Sequence, residues 1–146
     1  MFKENNKIAC YLAQASEFDC APMIEMIWQA GKQCYLPVLH NDHLVFKEYF
    51  RDTIMQLNRY GIPEPQQTST IPIEQLEMVL MPLVGFDLNG NRLGMGGGYY
   101  DKTFAIVNKP LLMGVAYECQ RIESLPVDHW DVPLNLVLTE TGLWPF

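Results

Sequence analysis

Two apolar runs of strand length bracket a helical stretch near the start of the chain, and that pattern commits the region to a βαβ unit. Lys7 to Ala13 (KIACYLA) is the first run. Asp19 is a candidate N-cap, Pro22 falls in the first turn and Gly31 stands just past the end, the usual asymmetry of a helix. Met23, Ile24, Ile27 and Trp28 share one apolar helical face. Gln33 to Leu39 (QCYLPVL) is the second strand, and strands joined in this way run parallel with a right-handed crossover.

The rest of the chain continues in the same vein. Glu77 to Val84 (EMVLMPLV) is a continuous apolar strand, as expected in a sheet covered on both faces, and Leu111 to Tyr117 and Leu136 to Thr139 read alike. His40 to His43 reads as a turn, with a strand over Leu44 to Phe50 beyond it. Gly61-Ile62-Pro63-Glu64-Pro65 cannot be helix interior, and Gln66 to Ile73 reads as a loop. With 146 residues, 49% of them hydrophobic, the chain can bury one core without staples, so residues 1–146 are read as a single α/β domain.

Charge and composition exclude some classes. Ten basic against seventeen acidic side chains leave a net charge of −7, which argues against a nucleic-acid partner. No apolar run approaches the ~20 residues that span a bilayer, so no membrane partner is expected. The start has no apolar leader, and Cys10, Cys20, Cys34 and Cys119 form no CxxC pair. These features read as thiols in a reducing cytoplasm. Ser16, Ser69 and Ser124 lie outside any GxSxG context, which disfavours a hydrolase triad. His40, Asp42 and His43 on one turn do not make a zinc site, and His129 is expected to brace Asp131.

Chemistry concentrates in one stretch. Gly94, Gly96, Gly97 and Gly98 follow the strongest buried strand and precede a segment, Tyr99 to Val107, that can be helical. An open α/β sheet binds ligands in such a place, beyond the carboxyl ends of its strands. Glycines let backbone approach a phosphate, successive amides supply donors, and Arg92 adds a charged fork. Neither GxxxxGK[ST] nor GxGxxG is present, so no known nucleotide loop is matched by pattern. The ordinary alternatives stay open: Asp19 and Asp101 as caps, Asp131 as a turn former, Tyr99 and Tyr100 as core aromatics, Glu17 as a solvated charge.

Met81-Pro82-Leu83-Val84-Gly85-Phe86-Asp87 with Gly90-x-Arg92-Leu93-Gly94-x-Gly96-x-Gly98-Tyr99-Tyr100-Asp101 resembles the signature of the 5-formyltetrahydrofolate cyclo-ligase (methenyltetrahydrofolate synthetase) family. Ordered matches flank it, among them Gly31-Lys32-x-x-Tyr35-Leu36-Pro37, Gly61 to Pro65, Gly114 to Glu118 and His129-x-Asp131-x-Pro133. The resemblance implies a three-layer α/β fold, a mixed, largely parallel sheet with helices on both faces, akin to the NagB, ribose-phosphate isomerase and CoA-transferase group. It implies closure of 5-formyltetrahydrofolate to 5,10-methenyltetrahydrofolate with ATP and Mg²⁺, releasing ADP and phosphate.

It also implies site residues. Arg92, Leu93, Gly94, Met95, Gly96, Gly97, Gly98, Tyr99 and Tyr100 would wrap the ATP phosphates, with Met95 to Tyr99 also facing the folate's formyl group. Arg92 and Tyr100 are the catalytic candidates, Tyr100 orienting the formyl group. Asp101 and Asp131 correspond to the magnesium carboxylates, and Gln14, Glu17, Asp19 and Glu64 to folate contacts. Family members carry a further helical segment ahead of the first strand, with cations that reach the ATP; here the first strand begins near Lys7, and Lys3 and Lys7 are the cations at that end. That departure leads us to expect weaker triphosphate binding, one uncovered sheet face, and as the alternative function an impaired or non-catalytic folate- and nucleotide-binding relative. A phosphosugar enzyme of the same fold group is a third reading. Asn135 stands where many relatives have an aspartate, which is expected to remove a charge near the metal site. Whether the chain is a monomer or a homodimer is left open.

Overall fold

The computed structural model describes residues 2–94, 97–106 and 108–146. Among them the strands are β1 (Lys7–Ala9), β2 (Gln33–His40), β3 (His43–Glu48), β4 (Met55–Leu57), β5 (Pro63–Pro65) and β6 (Thr70–Ile71). They continue with β7 (Met78–Met81), β8 (Gly85–Phe86), β9 (Arg92–Leu93), β10 (Leu111–Val115), β11 (Leu136–Thr139) and β12 (Gly142–Pro145). Helix α1 spans Ala21–Gln29 and α2 spans Tyr99–Phe104.

Eight strands form one sheet in the order β12-β11-β10-β7-β1-β2-β3-β6, and the two short hairpins β4–β5 and β8–β9 lie outside it. The five strands from β2 through β11 are mutually parallel, while β3, β6 and β12 add antiparallel edges. The sheet is therefore mixed, as expected. The order reverses between β1 and β7, and the crevice at such a reversal, above the strand carboxyl ends, is where open α/β sheets bind ligands.

Each face of the sheet carries one helix. Ile24 and Ile27 of α1 pack on Ile8, Cys10, Leu36, Leu80 and Val115, and Phe104 of α2 packs with Ala9, Phe46, Val79, Met81 and Phe86 on the other side. The anticipated bare face is not found: Ile8, Leu80, Met113, Val115 and Leu136 are all buried. Cys20, one residue after the expected Asp19, is the N-cap of α1; Asp19 instead accepts the Ala21 amide at 3.0 Å. Just past the C-cap Ala30, Gly31 closes off helix α1, and its φ of +73° lets Gly31 and Lys32 donate back to Trp28 and Ile27.

The expected loop over Gln66 to Ile73 contains edge strand β6, which pairs with Phe46 and Lys47. Its two residues are too few for alternation to show in sequence. Cys10, Cys20 and Cys34 are buried thiols, whereas Cys119 is exposed. Among the described residues, no helix is long and apolar enough to cross a membrane.

Candidate functional site

The chain leaves β7 and turns back through the β8–β9 hairpin, whose turn is built around one carboxylate. Asp87 has no exposed surface. Its Oδ1 accepts the amides of Asn89 and Asn91 at 2.9 and 3.1 Å, and its Oδ2 accepts the Asn91 side chain and the Leu125 amide, both at 3.0 Å. Burial opposes ionisation of Asp87, but these donors prevail and hold the carboxyl below its usual range. Gly90 completes the turn with φ of +83°; a Cβ there would lie 3.0 Å from the Leu134 carbonyl oxygen.

This hairpin delivers Arg92. Its Nη2 donates to Asp101 Oδ1 at 3.0 Å, and the pair is largely withdrawn from water, with 8% and 19% of the two side chains exposed. The guanidinium lies 5.7 Å from the centre of the Tyr100 ring, and its Nε is buried with no partner among the described residues. Asp101 Oδ1 also accepts the Val132 amide at 3.0 Å, while Asp131 Oδ2 accepts the Asp128 amide at 2.9 Å. Asn91, Arg92, Asp101, Asp131 and Pro133 line one narrow polar cleft. The two predicted metal carboxylates thus share a cleft, and each keeps an oxygen without a protein donor among the described residues. No three described His, Cys, Asp or Glu side chains are placed to hold an ion by themselves. A divalent cation held by Asp101 and Asp131 would need further ligand oxygens to complete its shell.

Between Arg92 and Tyr100 the glycines have distinct reasons. A Cβ on Gly94 would come within 3.2 Å of Arg92 Nη1, and Gly98 adopts φ of +68° as the N-cap of α2. Met95 and Gly96 lie outside the described residues, as does Val107 at the end of the expected helical segment. Leu93 is exposed, and its carbonyl accepts the Val84 amide at 2.7 Å. Thr103 ties α2 to the sheet by donating to the Tyr99 carbonyl and accepting the Leu44 amide.

Tyr99 points toward the β4–β5 turn, where its hydroxyl meets Arg59 Nη2 and, at 3.1 Å, the Tyr60 hydroxyl. The Tyr60 hydrogen bond and then Arg59 hold the Tyr99 phenol below its ordinary pKa. Sequence reasoning passed over Arg59 and Tyr60. The available signal was a cation two residues before the Gly61 to Pro65 motif, a spacing that carries no chemistry until the turn is seen against α2. Glu64 is buried and braces the same turn, its Oε2 accepting the Leu39 amide at 2.8 Å and the Asn58 side chain at 2.9 Å.

At the carboxyl end of β1 the surroundings differ. Ser16, Glu17, Val84, Tyr117, Cys119 and Gln120 line an open groove of about 490 Å³. Glu17 is half-buried with Oε1 on the Gln14 amide at 2.8 Å; burial raises its pKa, and that hydrogen bond only partly offsets the rise. Burial likewise pushes the Tyr100 phenol far above its ordinary value; Arg92 pulls it down and Glu17 adds to the rise. Arg92, which lines the cleft, and Glu17, which lines the groove, thus both act electrostatically on Tyr100. Gln14 contributes its backbone here, and Asp19 is exposed at the start of α1.

Two further expectations change. Asn135 turns its Oδ1 onto the Leu112 amide at 2.7 Å and does not line the cleft. The brace on Asp131 is the Asp128 amide; His129 stacks edge-on against Trp130 instead.

Comparison with known proteins extends the geometry. A sequence profile of the 5-formyltetrahydrofolate cyclo-ligase family matches residues 1–140. The 5-formyltetrahydrofolate cyclo-ligase of Haemophilus influenzae is 42% identical over 143 residues, covering 93% of this chain and 76% of that protein. Its counterpart from Escherichia coli strain K12 is 41% identical over 144 residues, covering 94% and 79%. The solved structure of Aquifex aeolicus 5,10-methenyltetrahydrofolate synthetase superposes with a TM-score of 0.86 at 33% identity, covering 99% of this chain and 73% of that one. The Mycoplasma pneumoniae synthetase gives 0.70 at 27% identity, covering 91% and 72%.

Proposed function

The chain belongs to the 5-formyltetrahydrofolate cyclo-ligase family, and from that premise we propose that it closes 5-formyltetrahydrofolate to 5,10-methenyltetrahydrofolate, with ATP as phosphoryl donor and Mg²⁺ as counter-ion. The observation that carries this reading is the polar cleft that the Arg92–Asp101 pair, largely withdrawn from water, lines together with Asp131. It supplies one permanent cation and two carboxylates beside the glycine-rich stretch.

In the proposed reaction the formyl oxygen bonds to the γ-phosphorus as the bond to ADP breaks. The folate N10 then bonds to the formyl carbon, the carbon–oxygen bond breaks, phosphate leaves and the N10 proton passes to water. Positioning and charge stabilisation are what a protein contributes to such a transfer. Arg92 is held rigidly by Asp101 and offers its remaining donors to phosphate oxygens. Bound Mg²⁺ would rest on Asp101 and Asp131 and neutralise charge on the phosphates. Gly94, Gly97 and Gly98 keep side chains out of the path of the ligand, and Met95 and Gly96 complete that stretch of sequence. Arg59 adds a second cation above α2 through Tyr99.

On the folate side, the Tyr100 phenol stays protonated through the neutral range and can donate a hydrogen bond that orients the formyl group. Glu17 supplies an acceptor for the N–H groups of a pteridine, with Gln14, Asp19 and Glu64 as further contacts in the same reading. The purified chain, mixed with ATP, Mg²⁺ and 5-formyltetrahydrofolate, is expected to generate the near-ultraviolet absorbance of the methenyl product. Ligand-induced thermal stabilisation without turnover would instead mark a binding-only relative. The absence of both turnover and stabilisation would overturn the proposal.

A further inference from the structure

We propose that Asp87 is a positioning residue that sets the distance between the two walls of the cleft, the hairpin that carries Arg92 and the segment that carries Asp131. The proposal rests on reading the cleft as the nucleotide site.

The two oxygens of Asp87 have separate tasks. Oδ1 closes the local turn through the Asn89 and Asn91 amides, a task an asparagine could perform equally well. Oδ2 reaches across the molecule to the Leu125 amide, thirty-eight residues away in sequence, while also holding the Asn91 side chain. Only a carboxylate accepts at both oxygens, and a buried one is costly unless its donors are present.

That long-range bond matters because of what surrounds it. The segment from Ile122 to Val132 has no helix or strand of its own. Ile122 donates to the Phe86 carbonyl at one end, and Val132 donates to Asp101 at the other. Between them Asp128 and Asp131 bond only each other. Among the described residues, the Leu125–Asp87 bond is the one hydrogen bond that ties the interior of this segment to the rest of the fold. Asp131 belongs to that interior: on its carboxyl side Val132 is tied to Asp101 and Leu134 to the Gly90 carbonyl, and on its amino side the one anchor within the segment, among the described residues, is the Leu125–Asp87 bond. A triphosphate with its metal must be held by both walls at once, and a displacement of about 1 Å can cost ~10²-fold in rate. The groove on the pteridine side is lined by Ser16 and Glu17 beyond β1 and by Val84, Tyr117, Cys119 and Gln120, none of which is a hydrogen-bond partner of Asp87.

The test compares two ligands in one variant. Asp87→Asn keeps an oxygen for the turn and presents an amide N–H₂ to donors on the other side, which opens the link to Leu125. Calorimetric titration is expected to show Mg–ATP binding weakened at least about tenfold, with 5-formyltetrahydrofolate binding changed less than about twofold. Amide exchange is expected to accelerate at Leu125 but not at Leu80 in β7. Leu125→Pro removes the same bond from the other partner; residue 125 precedes Pro126, so its backbone already favours the extended region. It should reproduce the split if Asp87→Asn does not fold. Equal weakening of both ligands, or unchanged Mg–ATP affinity in a folded variant, overturns the positioning role. A wild-type chain that does not bind Mg–ATP overturns the nucleotide reading instead, so the two failures are told apart.

Discussion

The polar cleft and the open groove are built on different physical terms. On the hairpin side every charged group that lines the cleft is already engaged: Arg92 with Asp101, Asp101 with Val132, Asp131 with Asp128. On the β1 side the groove is open, Glu17 takes one backbone donor, and Tyr117 and Cys119 face solvent. The difference suits the two ligands proposed. A triphosphate needs preorganised charge in a site that sheds water, where electrostatic stabilisation is large. A flat heterocycle needs area and a few acceptors, which a wide groove provides.

Breaking the engaged side should have the largest effect. Arg92→Ala removes the cation and strands the Asp101 carboxylate, so kcat/KM in the methenyl absorbance assay is expected to fall ~10²–10³-fold. A loss below about tenfold would mean that Arg92 is structural. Glu17→Gln sharpens the contrast from the open side. It is expected to raise KM for 5-formyltetrahydrofolate about tenfold and leave KM for ATP within about twofold. Because burial raises the Glu17 pKa, wild-type folate affinity should begin to decline at a pH above the usual carboxylate range as the group protonates. Glu17→Gln should flatten that decline.

Asp87 provides a smaller effect, with a pKa shift opposite in sign to that of Glu17. Its folded pKa is depressed, so its contribution to stability is complete above the unfolded value and is lost as pH falls through the folded one. Urea titrations should show Asp87→Asn losing stability at neutral pH and approaching the wild type in that acidic window. A constant difference across the window would contradict the assignment. The smallest effect is expected for Arg51→Ala. Arg51 pairs with Glu25, but the two side chains are 60% and 43% exposed. Turnover should not change and the melting temperature should stay within about 4 °C, because solvent screens exposed pairs. A larger shift would remove burial as the reason for the difference between the two arginines.

Much of this was legible before the structure. The Lys7 to Leu39 pattern announced the βαβ unit because a proline in the first helical turn and glycine termination are local chemistry. The buried strand at Met78–Met81 announced itself through its unbroken apolar run. Arg92, Asp101 and Asp131 stood out with the glycines because the motif compresses them. Arg59 and Tyr60 did not, since their partner Tyr99 is about forty residues away and nothing near them in the chain marks the contact. Edge strand β6 and the covered sheet face were also missed, both being matters of neighbour placement.

From residue order alone came the layer class, the crossover helix and the family likeness, all of which rest on period, capping and ordered motif matches within short windows. Tertiary structure alone decided that Asp131 lies across from Arg92, that Asn135 turns away from them, and that Asp87 holds a distant loop. Those outcomes depend on which backbone amides lack a partner once the chain is packed, and buried donors must be satisfied wherever in the sequence an acceptor happens to lie.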